Sequence, residues 1–358
     1  MSLSAHAPRP RRHPLQAAGQ FLGFAVGVAL LVWCVRGALG PENREQLTRL
    51  SNADPRMVAA VIGLSLASLV LNALIFWNAI RPVKQLHAAD VGATHAIAVL
   101  LGYLPFKLGL LFRFVAHNRR DGVPVLTIGA WFASVTLVMG VVMLPLLGVS
   151  LWRGTIDGVW LLAAAAVLAL AWGALFGFSR VLAGERGLAR VRSWLGVLGS
   201  GPWAVKVRGS HALTHLHAGA DMLAHPGALG AGVVLRGLDV LTQAARFGVA
   251  AHILEIPLSP GQAMLASLAY FVLGIISPAG MLGAREGGTK VALAALDVTG
   301  GKGFAVVLLV SAAEVCVQIP AAIAGVLRLR LWRGLRAPAA KDGEMSSTRP
   351  LDAARLSS

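Results

Sequence analysis

The sequence is short of charge, and shortest of negative charge. Only 13% of its 358 residues are Asp, Glu, Lys or Arg, where a soluble globular domain carries about 25%. Its 16 acidic residues face 32 basic ones, for a net charge of +16. Two cysteines cannot build a disulfide framework. Both, Cys34 and Cys316, fall inside apolar runs and are expected to be small core residues. No nucleophile elbow, phosphate loop, dinucleotide fingerprint or zinc-protease motif occurs, so no cofactor is implied. In "HALTHLH", His211, His215 and His217 lack a Cys or carboxylate at ligand spacing, so the segment reads as a solvated loop rather than a metal site. The basic residues are not interleaved with aromatics, which argues against nucleic acid as a partner.

What the chain has instead is apolar length: 56% of residues are hydrophobic and mean hydropathy is +0.70. Runs of about 20 apolar residues cross the ~30 Å hydrocarbon core as helices. Such runs lie at about 20–39, 57–80, 124–148, 158–178, 227–254 and 303–327. The first follows Arg9, Arg11 and Arg12 and lacks a small-x-small cleavage site, so it is expected to be a retained helix rather than a signal peptide. Trp33, Trp77, Trp152, Trp160 and Trp172 fall near span ends, as an interfacial belt predicts. Segment 193–205 is expected on the cytoplasmic interface, and residues 331–358 as a disordered cytoplasmic tail.

Two further regions, about 92–117 and 261–299, are apolar but interrupted. "THAIAVLLGYLPFKLGLLFRF" holds Pro105, Lys107 and Gly109 at its centre, and "SPAGMLGAREGG" (277–288) interrupts the second. Each is expected to form a pair of half-length helices, since unwound backbone is tolerated at membrane depth only under protein or in a watery cavity. With both termini in the cytoplasm, 21 of the 32 lysines and arginines lie on that side. That orientation requires each interrupted region to enter and leave on one side, the first from the cytoplasm and the second from outside. The expected fold is therefore an all-α, polytopic membrane bundle with two re-entrant helical hairpins in an inverted-repeat arrangement. Its halves are about 57–178 and 227–327, preceded by a basic cytoplasmic N-tail, 1–19.

Interrupted segments at corresponding places in two halves point to a transporter's binding site. A half-helix opened by Pro278, with Gly280 and Gly283 allowing close approach, would aim free N–H groups at an anion that Arg285 reinforces. The alternative is a tight helix break with Arg285–Glu286 as a satisfied pair. Arg236, Asp239, Gln243 and Arg246 recur at offsets of three and four, so they share one helical face that must point into the bundle. They could line a site, or form an internal Arg–Asp pair with a snorkelling Arg246. Glu314 lies in a span and could partner one of these arginines or carry a proton. Lys107 and Arg113 could meet an anion from the cytoplasmic side, and Arg113 could equally snorkel.

Around Pro278 the chain resembles the flippase-like family that includes the transmembrane region of lysylphosphatidylglycerol synthases. The family signature Pro-x-Gly-x-x-Gly-x-x-Glu-Gly is matched at Pro278, Gly280, Gly283, Glu286 and Gly287. Pro105, Gly109, Arg113 and "RRDGVP" (119–124) resemble its first half, which departs at Leu110 and "WFASVTL". The resemblance covers most of 20–330 and implies a lipid flippase of the bacterial inner membrane that moves phospholipids or lipid-linked anionic headgroups. Only a short tail follows the last span, so lysyl transfer is not expected. Two other functions stay open: a membrane-embedded transferase using Glu286, Asp239 or Glu314, and a scaffold that partners a transferase of a cell-envelope lipid pathway.

Overall fold

A computed structural model of the chain describes residues 32, 36, 44–104, 107–198, 210–276, 284–295 and 302–330. Among the described residues the regular elements are all helical. In chain order they are α1 (Arg44–Ser51), α2 (Pro55–Ile80), α3 (Ala88–Gly102), α4 (Leu108–Arg119), α5 (Val125–Arg153), α6 (Gly158–Leu182), α7 (Gly184–Leu198), α8 (His211–Ala224), α9 (Pro226–Ile253), α10 (Pro260–Ile276), α11 (Ala284–Ala295) and α12 (Lys302–Leu329). Five of them, α2, α5, α6, α9 and α12, are long and apolar enough to cross a membrane.

Local chemistry fixes the helix ends. The Asp54 carboxylate accepts from Arg56 N at 2.9 Å, with Pro55 in the first turn of α2. Asp157 caps α6 by accepting from Trp160 N at 2.8 Å, and Gly154, at φ 68°, closes α5. Described helices flank both interrupted regions: α3 ends before Tyr103 and α4 starts at Leu108, while α10 ends at Ile276 and α11 starts at Ala284, with residues 105–106 and 277–283 outside the described residues.

Polarity is distributed as a bilayer demands. Leu162 and Leu170 are 75% and 72% exposed on α6, which hydrocarbon solvates and water would not. The interior instead holds polar and charged groups, including Arg236, Asp239, Arg246, Glu286 and Thr289. Helix α9 runs against α2, α10 and α5; α12 packs on α3, α2 and α11; α8 packs on α5 and α6.

Several expectations are corrected. Residues 211–217 are not a loop: Ser210 caps them and they open α8, where His215 Nδ1 lies 3.2 Å from Thr127 Oγ1 and His217 Nε2 2.5 Å from the Leu182 carbonyl. Cys316 is exposed rather than a core residue. Trp160 stands at the expected helix end but is buried, donating to Ser150 Oγ at 3.1 Å, because the serine offers its indole N–H a partner. Arg246 and Arg113 are buried and do not snorkel. Cys34, Trp33, the tails and 199–209 lie outside the described residues.

Candidate functional site

Two residues set how α4 meets α3. Lys107 sits at φ 49°, a left-handed conformation that costs a non-glycine residue about 1 kcal/mol or more. A Cβ on Gly109 would stand 2.0 Å from the Ala98 carbonyl oxygen, so the start of α4 is pressed against the last turn of α3 and only glycine fits.

Three helices, α9, α10 and α11, and Tyr103 just past α3 converge on Glu314 of α12. Its Oε1 lies 2.6 Å from Arg246 Nη2, and its Oε2 accepts from Arg285 Nη1 at 2.7 Å. Tyr270 of α10 and Tyr103 donate to the same Oε2 at 3.2 and 3.3 Å. Arg285 also reaches Glu286 at 3.3 Å and stacks over Tyr270, 4.0 Å from the ring centroid. Glu286 in turn accepts from Ser311 at 3.0 Å. Tyr103 follows α3 and Arg285 lies in the first turn of α11, so this buried network ties the two interrupted regions together.

The α9 face is as the offsets predict: Arg236, Asp239, Gln243 and Arg246 are all buried. Arg236 Nη1 donates to Asp239 Oδ2 at 2.7 Å, Gln243 to the same oxygen at 2.8 Å, and Ser68 of α2 to Oδ1 at 2.6 Å. Among the described residues, Arg236 Nε and Nη2 nonetheless have no hydrogen-bond partner, and Arg246 Nε has none. Leaving such donors buried and unpaired costs about 1–3 kcal/mol each. On α4, Arg113 lies 4.2 Å from the Phe76 ring centroid and donates to His95 Nδ1 at 2.9 Å.

These groups surround one cavity of about 330 Å³, near the lower end of small-molecule sites. Arg236, Arg246, Arg285, Arg113, Lys107 and Glu314 reach its wall, whereas Asp239 and Glu286 stand behind it as counter-charges. The structure thus brings together eight of the sequence-derived candidates. The other three, Pro278, Gly280 and Gly283, lie outside the described residues. Sequence reasoning missed Tyr103, Tyr270, His95, Ser68, Phe76 and Phe132. A signal was there for two of them: the chain's two tyrosines both sit in the interrupted regions. Among the described residues, no cluster of three His, Cys, Asp or Glu side chains could hold a metal.

No curated protein and no solved structure matches the chain significantly. The sequence profile of the family described as lysylphosphatidylglycerol synthase TM region matches residues 20–322, and with this coverage and its apolar spanning helices the chain belongs to that family of multi-pass membrane proteins.

Proposed function

We propose that this protein is a lipid translocase, moving phospholipids or lipid-linked anionic headgroups between the leaflets of a bacterial-type cytoplasmic membrane with both its termini inside. One observation carries the reading: a cavity walled by five cationic side chains, buried among helices whose outer faces are apolar. Charges this deep are expensive in a membrane protein and by default mark a substrate path.

An inverted repeat would supply alternating access. Its support is the way contacts recur. Helix α3 packs on α2 as α10 packs on α9; α12 meets α2 as α5 meets α9; α4 meets α5 as α11 meets α12. On this reading both broken hairpins are re-entrant. Arg236, Arg246, Arg285, Lys107 and Arg113 attract the headgroup, Asp239, Glu286 and Glu314 balance and orient them, and Pro278, Gly280 and Gly283 let backbone approach it. The three carboxylates each lie within ion-pair distance of an arginine, which favours a carrier over a transferase needing a free base. A transferase of an envelope pathway would be the partner supplying or receiving the lipid.

The test is leaflet exposure of fluorescent phosphatidylglycerol in proteoliposomes. Wild-type protein should bring inner-leaflet label within reach of an external quencher, and Arg285→Ala and Glu286→Gln should slow this at least about tenfold, the equivalent of ~1.4 kcal/mol. A wild type that leaves the label where it began, or variants that equal it, would contradict the proposal.

A further inference from the structure

We propose that the headgroup's anion is seated by Arg113 and His95 of the first hairpin, and that the seat selects net-anionic phosphate headgroups against headgroups bearing net positive charge. This rests on the translocase reading and assigns its binding position away from the Arg285 motif.

Counter-charges decide the position. Arg236 has Asp239 at 2.7 Å, Arg246 has Glu314 at 2.6 Å, and Arg285 has Glu314 at 2.7 Å. Arg113, 9% exposed, has no carboxylate within ion-pair distance among the described residues. Its neighbours are the rings of Phe76 and Phe132, at 4.2 and 5.6 Å, and His95. A buried cation without a partner is costly, and a bound anion removes that cost.

Protonation then follows from donor chemistry. A guanidinium only donates, so His95 Nδ1 must accept from Arg113, and the neutral imidazole carries its hydrogen on Nε2. That Nε2 is buried, has no partner among the described residues, and belongs to a residue in the cavity wall. Arg236, in the same wall, adds two more donors, Nε and Nη2, without a partner among the described residues. Arg113, His95 and Arg236 thus belong to one cavity wall and carry donors or charge that no acceptor there answers, which is what a phosphate oxygen supplies.

The same wall disfavours an ammonium. Both oxygens of Glu314, the carboxylate that reaches the cavity, are already engaged by arginines. Aromatic faces that could hold a cation are occupied too: Arg113 lies over Phe76 and Phe132, and Arg285 over Tyr103 and Tyr270. A phosphodiester alone offsets the surplus of positive charge, whereas an aminoacylated headgroup with added ammonium groups increases it.

Binding to the full-length protein in phosphatidylcholine nanodiscs tests this, using fluorescent phosphatidylglycerol, its lysyl ester, and inorganic phosphate as competitor. Phosphatidylglycerol should bind about tenfold or more tighter than the lysyl ester. Arg113→Gln should weaken it by about tenfold to a hundredfold, and His95→Leu by about tenfold, with the thermal transition retained. Should Arg113→Gln fail to fold, His95→Leu and the lipid ranking still decide. Equal binding of both lipids, or variants that bind like wild type, overturn the seat. Inorganic phosphate that displaces the lipid at equal concentration makes this a free-phosphate site and overturns the lipid assignment. Failure here with leaflet exchange intact leaves the translocase reading standing; binding without exchange refutes that reading instead.

Discussion

Glu314→Gln is the perturbation that bears hardest on the interior network. The substitution keeps the side chain's size but removes the charge that faces Arg246 at 2.6 Å and Arg285 at 2.7 Å. Arg285 retains Glu286 at 3.3 Å, so its loss is partial. Arg246 retains little beyond Ser65 Oγ at 3.4 Å. Breaking one buried ion pair from one side costs about 3–5 kcal/mol, because it strands a charge. With Arg246 dominating, Glu314→Gln is expected to lose about that amount in reversible unfolding by denaturing detergent in mixed micelles. Adding Arg246→Met removes the stranded charge, so the double variant should recover at least about 1 kcal/mol. A Glu314→Gln protein within about 0.5 kcal/mol of wild type, the range of ordinary surface substitutions, would refute the reasoning.

Three further outcomes follow from single contacts. Ser68→Ala deletes a 2.6 Å hydrogen bond to the buried Asp239 carboxylate and should cost about 1.5–3 kcal/mol in the same unfolding measurement. Gly109→Ala drives a methyl into the Ala98 carbonyl, which cannot rotate away, and should cost about 3 kcal/mol, while Gly148→Ala, with nothing within 4 Å, should change stability by less than about 1 kcal/mol. The Asp157 carboxyl lies below its ordinary value of 3.8, held there by hydrogen bonds from Arg153 and from Trp160 N. A depressed carboxyl stabilises the fold fully above its ordinary value and loses that contribution as pH falls through the lower folded one. Asp157→Asn should therefore flatten the stability profile below about pH 4 and raise no new slope near neutrality.

Much of this architecture is legible in the residues because bilayers impose few choices. The apolar runs at 57–80, 124–148, 158–178, 227–254 and 303–327 each correspond to a helix long and apolar enough to cross a membrane, because hydrocarbon leaves an isolated segment no other way to satisfy its backbone. The interrupted regions around Pro105 and Pro278 fall between described helices, α3 and α4 in the first and α10 and α11 in the second. The offsets between Arg236 and Arg246 also gave one buried face. The partners of those charges were not readable: Glu314 meets Arg246 across 68 residues and Tyr103 meets Arg285 across 182, and no periodicity encodes pairings between helices. His95 was missed for a related reason. Thr94 apart, its neighbours in sequence are apolar, and its role depends on an arginine 18 residues on, brought beside it by the packing of α4 on α3. The histidines of 211–217 misled because polar composition resembles a loop, while the Ser210 cap and the later apolar positions make a helix.

The central claim is that a lipid headgroup enters the cationic cavity instead of merely coating the outer surface. Photocrosslinking with a phosphatidylglycerol carrying its reactive group on the headgroup, followed by mass spectrometry of adducts, tests this directly. Adducts on cavity-wall residues such as Phe76, Phe132 and Met139, competed by unlabelled phosphatidylglycerol, are the predicted result. Adducts confined to outward-facing positions such as Leu144, Leu162 and Leu170 would contradict it.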